Sequence, residues 1–231
     1  MDFPVWAPAY EAILADFGYD RSADEDARDL LAAMLDEGTY RPDDLALAGR
    51  TVAIAGAGPS LPSELDLVRD ADVVIAASAA ADTVREAGLD VDCMVTDLDK
   101  NPATARDLTR EGVPVAVHAH GDNVGALRTV VRTLEDAAVI PTTQAAPVAG
   151  TWNFGGFTDG DRAAFMADHL GAEELVFPGW DFDDPTVGPE KARKLVWAER
   201  LLCWLERRRG ESFDVLDGRR DGIDVSMLSF Q

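Results

Sequence analysis

Asp97 and Asp99 stand two residues apart in Val95-Thr-Asp97-Leu-Asp99-Lys100-Asn101, directly after a short apolar run. In extended chain, residues two apart point the same way, so the pair can present two carboxylates together. Adjacent carboxylates repel unless neutralised, and they suit Mg²⁺, a hard cation that takes oxygen ligands. Aspartate is abundant in this chain, so a bare D-x-D says little. One that ends an apolar run says more. A second apolar run leads into His118-Ala-His120-Gly-Asp122-Asn, which holds two of the three histidines at strand spacing. His118, His120 and Asp122 have the chemistry to bind a metal or a phosphate. Asp122 is equally a good N-cap for a following helix.

Gly56-Ala-Gly58-Pro59-Ser60 follows the first apolar run. Its glycines let backbone approach a phosphate, and the helix start after it offers unpaired N–H groups. A tight turn without a ligand is the plainer alternative. A dinucleotide fingerprint would need glycine at position 61 and an acid after the second run; Leu61, Ser78 and Ala79 stand there, which disfavours NAD. No Walker A motif occurs. Thr142-Thr-Gln144 and Trp152-Asn153-Phe154-Gly-Gly-Phe157-Thr158-Asp159-Gly-Asp161-Arg162 add a second D-x-D and rings suited to stacking on a flat heterocycle. Thr158 or Asp159 also suits a helix cap. Of the three lysines, Lys100 follows the Asp pair and Lys191 and Lys194 lie one helical turn apart. They suit phosphate; a solvated helix face is the bland reading. His169, inside a helical stretch, reads as structural.

These segments need a frame. Apolar runs at Thr51–Ala55, Asp72–Ala77, Cys93–Thr96, Val115–His118, Ala138–Thr142 and Glu174–Phe177 read as strands. Helical stretches fall near 62–69, 79–87, 102–111, 122–134, 159–170 and 189–208. Strands without polar alternation, separated by helices, predict a Rossmann-like, doubly wound α/β fold with a mostly parallel sheet. In such sheets ligands bind beyond the carboxyl ends of the strands, which is where the motifs lie. Residues 1–48 read as a short N-terminal helical lead-in (8–17 and 22–37), with a Ser22–Glu25 capping box and a turn at 41–44. Residues 49–231 read as the Rossmann-like domain with a C-terminal helix and tail, in which Ile223–Leu228 could add an edge strand.

Composition removes other classes. The 231 residues carry 43 acids against 21 bases, a formal charge of −22, mostly as 30 Asp and 18 Arg. At 47% hydrophobic the chain can still bury a core. Acid-rich, Lys-poor composition resembles adaptation to concentrated salt, as in a haloarchaeon. It argues against nucleic acid and anionic membrane as partners. Cys93 and Cys203 are too few and too far apart for a disulfide framework or a Cys-rich zinc site. No apolar run reaches the roughly 18 residues of a membrane span. MDFPVWAPAYEAIL lacks a basic n-region, so a cytoplasmic location is expected.

Taken together, GPSL at 58–61, VTDLD at 95–99, HAHGDN at 118–123, TTQ at 142–144 and NFGGFTDGDRA at 153–163 resemble one family. It is the archaeal-type 6-hydroxymethyl-7,8-dihydropterin diphosphokinases, related in pattern to thiamine diphosphokinases. The resemblance spans about residues 50–200. Lys100 departs from it, standing where the pattern has Gly, as does Gly179-Trp180-Asp181 in place of Gly-Met-Asp.

The resemblance implies Mg²⁺-dependent transfer of diphosphate from ATP to the pterin hydroxymethyl group, releasing AMP, for folate or methanopterin synthesis. On that basis Asp97, Asp99 and Asp122 are assigned to Mg²⁺, and Asp159 or Asp161 to metal or pterin. Gly56, Gly58, Pro59 and Ser60, with Lys191 and Lys194, would receive the nucleotide. His118 and His120 would contact phosphate or assist proton removal. Gln144, Asn153 and Phe157 would hold the pterin. Partners are then small molecules, and a homodimer is compatible. Two rivals stay open: a nucleotide-sugar glycosyltransferase using D-x-D, and a non-catalytic nucleotide-binding module.

Overall fold

The computed structural model describes residues 1–35 and 38–228. Among these described residues six strands form one sheet, β1 (Thr51–Ala55), β2 (Val73–Ala77), β3 (Cys93–Thr96), β4 (Val115–Ala119), β5 (Val139–Thr143) and β6 (Glu174–Val176). All pair in parallel, in the order β5-β4-β3-β2-β1-β6. The "mostly parallel" expectation is met by a wholly parallel sheet. Central strands are buried along their whole length, which explains their Val, Ile and Ala composition without polar alternation.

Successive strands step one way from β1 to β5, and the chain then returns to place β6 on the other side of β1. That reversal puts the topological switch point between β1 and β6. The helices divide accordingly. α1 (Phe3–Phe17), α7 (Asp159–His169) and α8 (Pro189–Arg209) cover one face, packing Trp6, Phe165 and Trp204 on Val52, Ile54 and Ile75. On the other face lie α2 (Arg21–Met34), α3 (Leu65–Asp70), α4 (Ala80–Glu86), α5 (Pro102–Arg110) and α6 (Val124–Val130). There Leu31, Val84, Leu108 and Leu127 pack on Val74, Met94 and Val117.

The N-terminal helices therefore straddle the sheet. α1 begins at Phe3 rather than residue 8, with a proline in its first turn and Pro8 carried inside; the buried stripe Trp6, Ala9, Tyr10 and Ile13 holds it. α2 starts at Arg21. Its cap is Asp20, whose carboxylate accepts from the Ser22 N–H at 2.9 Å, so Ser22 is not the cap and the expected capping box is not formed. Residues 36 and 37 of the expected 22–37 helix lie outside the described residues.

Among the described residues the tail adds no strand: residues 223–228 are irregular. Val225 and Leu228 instead bury into the α8 face, and Arg219 and Arg220 pair with Glu199 and Glu206 of α8. Packing on the helix competes with sheet pairing, and the tail follows the helix. Both cysteines are free and buried. Among the described residues no helix is long and apolar enough to cross a membrane.

At the switch point two loops pass backbone against backbone. Gly56 N–H donates to Pro178 O at 2.8 Å and Gly58 N–H to Gly179 O at 2.9 Å. A Cβ on Gly56 would lie 2.5 Å from Gly179 O, and Gly179 itself has φ +75°. Gly56→Ala should therefore cost about 1–3 kcal/mol, the range for overpacking a tight site. Urea denaturation would read this as a lower midpoint with an unchanged slope.

Candidate active site

A cleft of about 370 Å³ opens beyond the carboxyl ends of β1–β4, between the start of α7 and the first half of α8. The turn joining α1 and α2 closes it on one side through Tyr19 and Asp20. Lining it are Gly56, Gly58, Asp97, Asp99, His120, Asp122, Gln144, Phe157, Asp159, Lys191 and Lys194 from the sequence-derived set. Lys100 joins them, so all three lysines of the chain face one cleft. Pro59, Ser60, His118, Asn153 and Asp161 do not line it.

Asp97 and Asp99 do meet, though not as residues of an extended strand. β3 ends at Thr96, and the chain then turns with Leu98 at φ +65° and buried. Leu98 N–H donates to Thr96 Oγ1 at 3.0 Å and Asp99 N–H to Asp97 Oδ1 at 3.1 Å. Burial works to raise Asp97, but His120, Asp99 and Arg162 outweigh it and hold the carboxyl well below its ordinary range. Desolvation and the neighbouring Asp97 push Asp99 up to about 6. Asp159 is pushed up to about 7, by desolvation first and then by Asp97. The cleft thus holds more negative charge than its own cations neutralise.

His118 and His120 share a strand face but have different surroundings. His120 Nε2 lies 3.4 Å from Asp97 Oδ2, and its Nδ1 accepts the Asp122 N–H at 3.3 Å. Asp122 itself is exposed. His118 is sealed beneath, with Nδ1 3.0 Å from Thr142 Oγ1 and Nε2 3.0 Å from Gln144 Oε1. Desolvation, then Arg162 and His120, lower its pKa well below the ordinary value. It is a neutral, doubly bonded ring.

Other sequence-derived residues shape the loops. Asp161 accepts the N–H groups of Phe157 and Thr158, both at 2.7 Å, which caps α7 with Thr158 as the N-cap. Asn153 donates to the carbonyls of Thr143, Gln144 and Ala145 and so sets the loop carrying Gln144. The glycine turn spends its donors internally: besides Gly56 and Gly58, Ser60 N–H goes to Asp181 Oδ2 at 2.9 Å. Few N–H groups are left there for a phosphate. Of the rings, Phe157 reaches the cleft, whereas Trp152 stacks on Phe154 elsewhere.

Four residues were missed by sequence reasoning. Arg162 donates to Asp159 Oδ1 at 3.0 Å and to Gln144 Oε1 at 2.9 Å. Asn123 donates to Asp97 O at 2.8 Å and to His118 O at 2.6 Å, tying the β3 and β4 loops together. Asp24 of α2 accepts Gly121 N–H at 2.7 Å and Tyr10 O–H at 2.8 Å. Trp180 lines the cleft and donates to Ile54 O at 2.8 Å. Arg162 and Asn123 lie inside motifs already singled out, so proximity was their only signal.

Among the described residues no three His, Cys, Asp or Glu side chains converge as a ready metal cage. Mg²⁺ does not require one: it takes one or two carboxylates and completes its shell with water and substrate phosphate. The Asp97–Asp99 pair, with hard oxygens and uncompensated charge, fits that chemistry.

Fold and cleft together define an α/β protein with a charge-lined cleft at the carboxyl edge of a parallel sheet. Residues 32–186 match the family described as 6-hydroxymethylpterin diphosphokinase MptE-like. The chain belongs to this family. It is 42% identical over 225 residues to the 6-hydroxymethyl-7,8-dihydropterin pyrophosphokinase of Methanothermobacter thermautotrophicus, covering 90% of this chain and 96% of that one. To the protein of the same name from Pyrococcus furiosus it is 37% identical, covering 89% and 95%. The MAf glycosyltransferase structure from Magnetospirillum magneticum is similar at TM-score 0.43 and 19% identity, over 73% of this chain and 29% of that one. A likeness that remote says nothing of function.

The raised Asp159 carboxyl has a consequence for stability. An acid whose pKa rises on folding destabilises the fold increasingly as pH climbs from its unfolded value, and the cost is complete above the folded value. Asp159→Asn removes that cost. Its melting temperature should exceed the parent's at pH 8, with the gain shrinking toward pH 4, where the folded carboxyl is neutral and the unfolded one is only partly ionised. Calorimetry across pH 4–8 measures this, and an equal offset at every pH would contradict it.

Proposed function

We propose that the protein transfers diphosphate from ATP to the hydroxymethyl oxygen of 6-hydroxymethyl-7,8-dihydropterin, releasing AMP, in the synthesis of a folate- or methanopterin-type cofactor. The observation that carries the reading is the composition of the cleft. Asp97, Asp99 and Asp159 meet the chain's three lysines there, in a member of a family described by that activity. Carboxylates for a divalent cation beside lysines for phosphate is what a charged phosphoryl donor requires.

In the reaction the hydroxymethyl oxygen bonds to the β-phosphorus. The bond from that phosphorus to the oxygen bridging α and β breaks, and its electron pair leaves with AMP. The hydroxyl proton passes to the Asp97–His120 pair. Asp97 and Asp99 would hold Mg²⁺, with Asp122 on the wall of the same cleft. Bound there, Mg²⁺ supplies neutralisation of the charge on the phosphate oxygens. Lys100 and Lys191, which make no ion pair among the described residues, bind phosphate, and Lys194 does so beside Phe157. Tyr19 and Phe157 wall off water. We assign the reaction to the cytoplasm, where ATP is available.

The test supplies ATP, Mg²⁺ and the reduced pterin to the pure protein and measures AMP. Release that depends on pterin is expected. AMP that forms without pterin, or ATP binding with no AMP, would sink the reading, and consumption of a nucleotide sugar would point to glycosyl transfer. Asp97→Asn should lower kcat by about 10²–10³-fold, the scale for losing one electrostatic stabiliser, with the melting temperature and circular dichroism retained. Lys191→Gln should raise KM for ATP by about tenfold, equivalent to about 1.4 kcal/mol of lost binding, with a smaller effect on the pterin.

A further inference from the structure

We propose that Gln144 and Asp159 together read one edge of the substrate ring, and that this edge is a cyclic amide with its N–H beside its carbonyl. The proposal rests on the pterin reading above and adds the contacts that choose the ring.

Arg162 sets the geometry. Its Nη1 donates to Asp159 Oδ1 at 3.0 Å and its Nη2 to Gln144 Oε1 at 2.9 Å. Those nitrogens share one carbon, so the planar fork holds carboxylate and amide side by side. His118 fixes the same amide from beneath, with Nε2 3.0 Å from Gln144 Oε1. Flipping the amide would set its NH₂ against the guanidinium, donor against donor, so one orientation is allowed. In that orientation Gln144 Nε2 is buried without a partner, on a residue only 4% exposed that lines the cleft. Asp159 uses Oδ1 alone; its Oδ2 has no hydrogen bond among the described residues.

An unmade hydrogen bond on a buried donor is costly, and a native site that tolerates one is short of a partner. The two side chains held by one guanidinium thus leave an unused acceptor on one and an unused donor on the other. Their complement is a ring N–H beside a ring carbonyl, the N3–H and O4 edge of a pterin. A 2,4-diamino ring puts an amine where the carbonyl stands and faces Gln144 Nε2 with a second donor. A site built around such a hydrogen bond rejects the mismatched ring strongly. His118 is a positioning residue, acting on the ring only through Gln144.

The experiment measures equilibrium binding, by fluorescence, of 6-hydroxymethyl-7,8-dihydropterin and its 2,4-diamino counterpart. The natural protein should prefer the pterin by about 10²-fold, equivalent to about 2.8 kcal/mol. Gln144→Glu, which replaces the donor with an acceptor, should shrink that preference at least tenfold. His118→Leu, which frees the amide to turn, should shrink it too, a change that a merely structural role would not produce. Equal affinity of the natural protein for both rings overturns the proposal even if neither variant folds. A preference unmoved by Gln144→Glu overturns it while pterin-dependent AMP release leaves the diphosphokinase reading standing. Absent AMP release with the ring preference intact would do the reverse.

Discussion

Repulsion among Asp97, Asp99 and Asp159 is the constraint around which the cleft is arranged. Two carboxylates about 4 Å apart at an effective dielectric near 20 repel by about 4 kcal/mol, a large fraction of a domain's stability. The protein meets this in three ways. Asp99 N–H donates to Asp97 Oδ1, His120 leans on Asp97, and Arg162 pairs with Asp159. None of these cancels the charge completely, because Asp99 and Asp159 still sit at about 6 and about 7. The residual charge is what a divalent cation and a ring N–H donor would use. A site fully neutralised by its own residues would have little left for either.

Holding such charges together takes a scaffold that cannot relax, and the loops are locked from several directions. Asn123 bonds the β3 loop to the β4 loop, and Asp24 reaches from α2 to pin Gly121. Gly121 lies so near α2 that a Cβ there would stand 2.7 Å from the Ala23 methyl. On the far side the β1 and β6 loops cross backbone to backbone at the switch point. That crossing has a chemical consequence. Because the Gly56–Ser60 donors are spent on the β6 loop, the phosphate recognition proposed for this cleft falls to lysine side chains rather than main-chain N–H groups.

Much of the frame was legible because parallel strands buried on both faces leave unbroken apolar runs; β1 and β3 begin and end where the sequence places them. The cleft was legible for the same reason, since strand ends locate it. What escaped was decided by burial and by distant chain. His118 and His120 look equivalent in sequence, yet one lies below the floor and the other in the cleft. The Asp pair was found for a reason the structure replaces, a left-handed turn at Leu98 in place of extended chain. Asp24 could not be found at all, because nothing local in α2 announces a partner 97 residues away. The tail reads as a strand by composition, and only the apolar face and the acids of α8 together explain why it docks there instead.

The split between arginine and lysine completes the electrostatic argument. Arginine's planar fork commits to fixed carboxylate geometry, and here Arg85, Arg209, Arg219 and Arg220 all pair with acids away from the cleft. Lysine is a compact charge on a flexible stem, able to follow a phosphate through a reaction. All three lie in the cleft, and Lys191 is lowered by desolvation and by Lys100, so they crowd one another. Crowded cations in a protein of formal charge −22 are not there to adjust the total. Screening confines electrostatics to about 8–10 Å at ordinary salt and to less in concentrated salt. Over that range the proposed polyphosphate would answer to the cleft's own lysines and to a cation held by its carboxylates rather than to the distant surface acids, and an acidic surface is compatible with an anionic substrate.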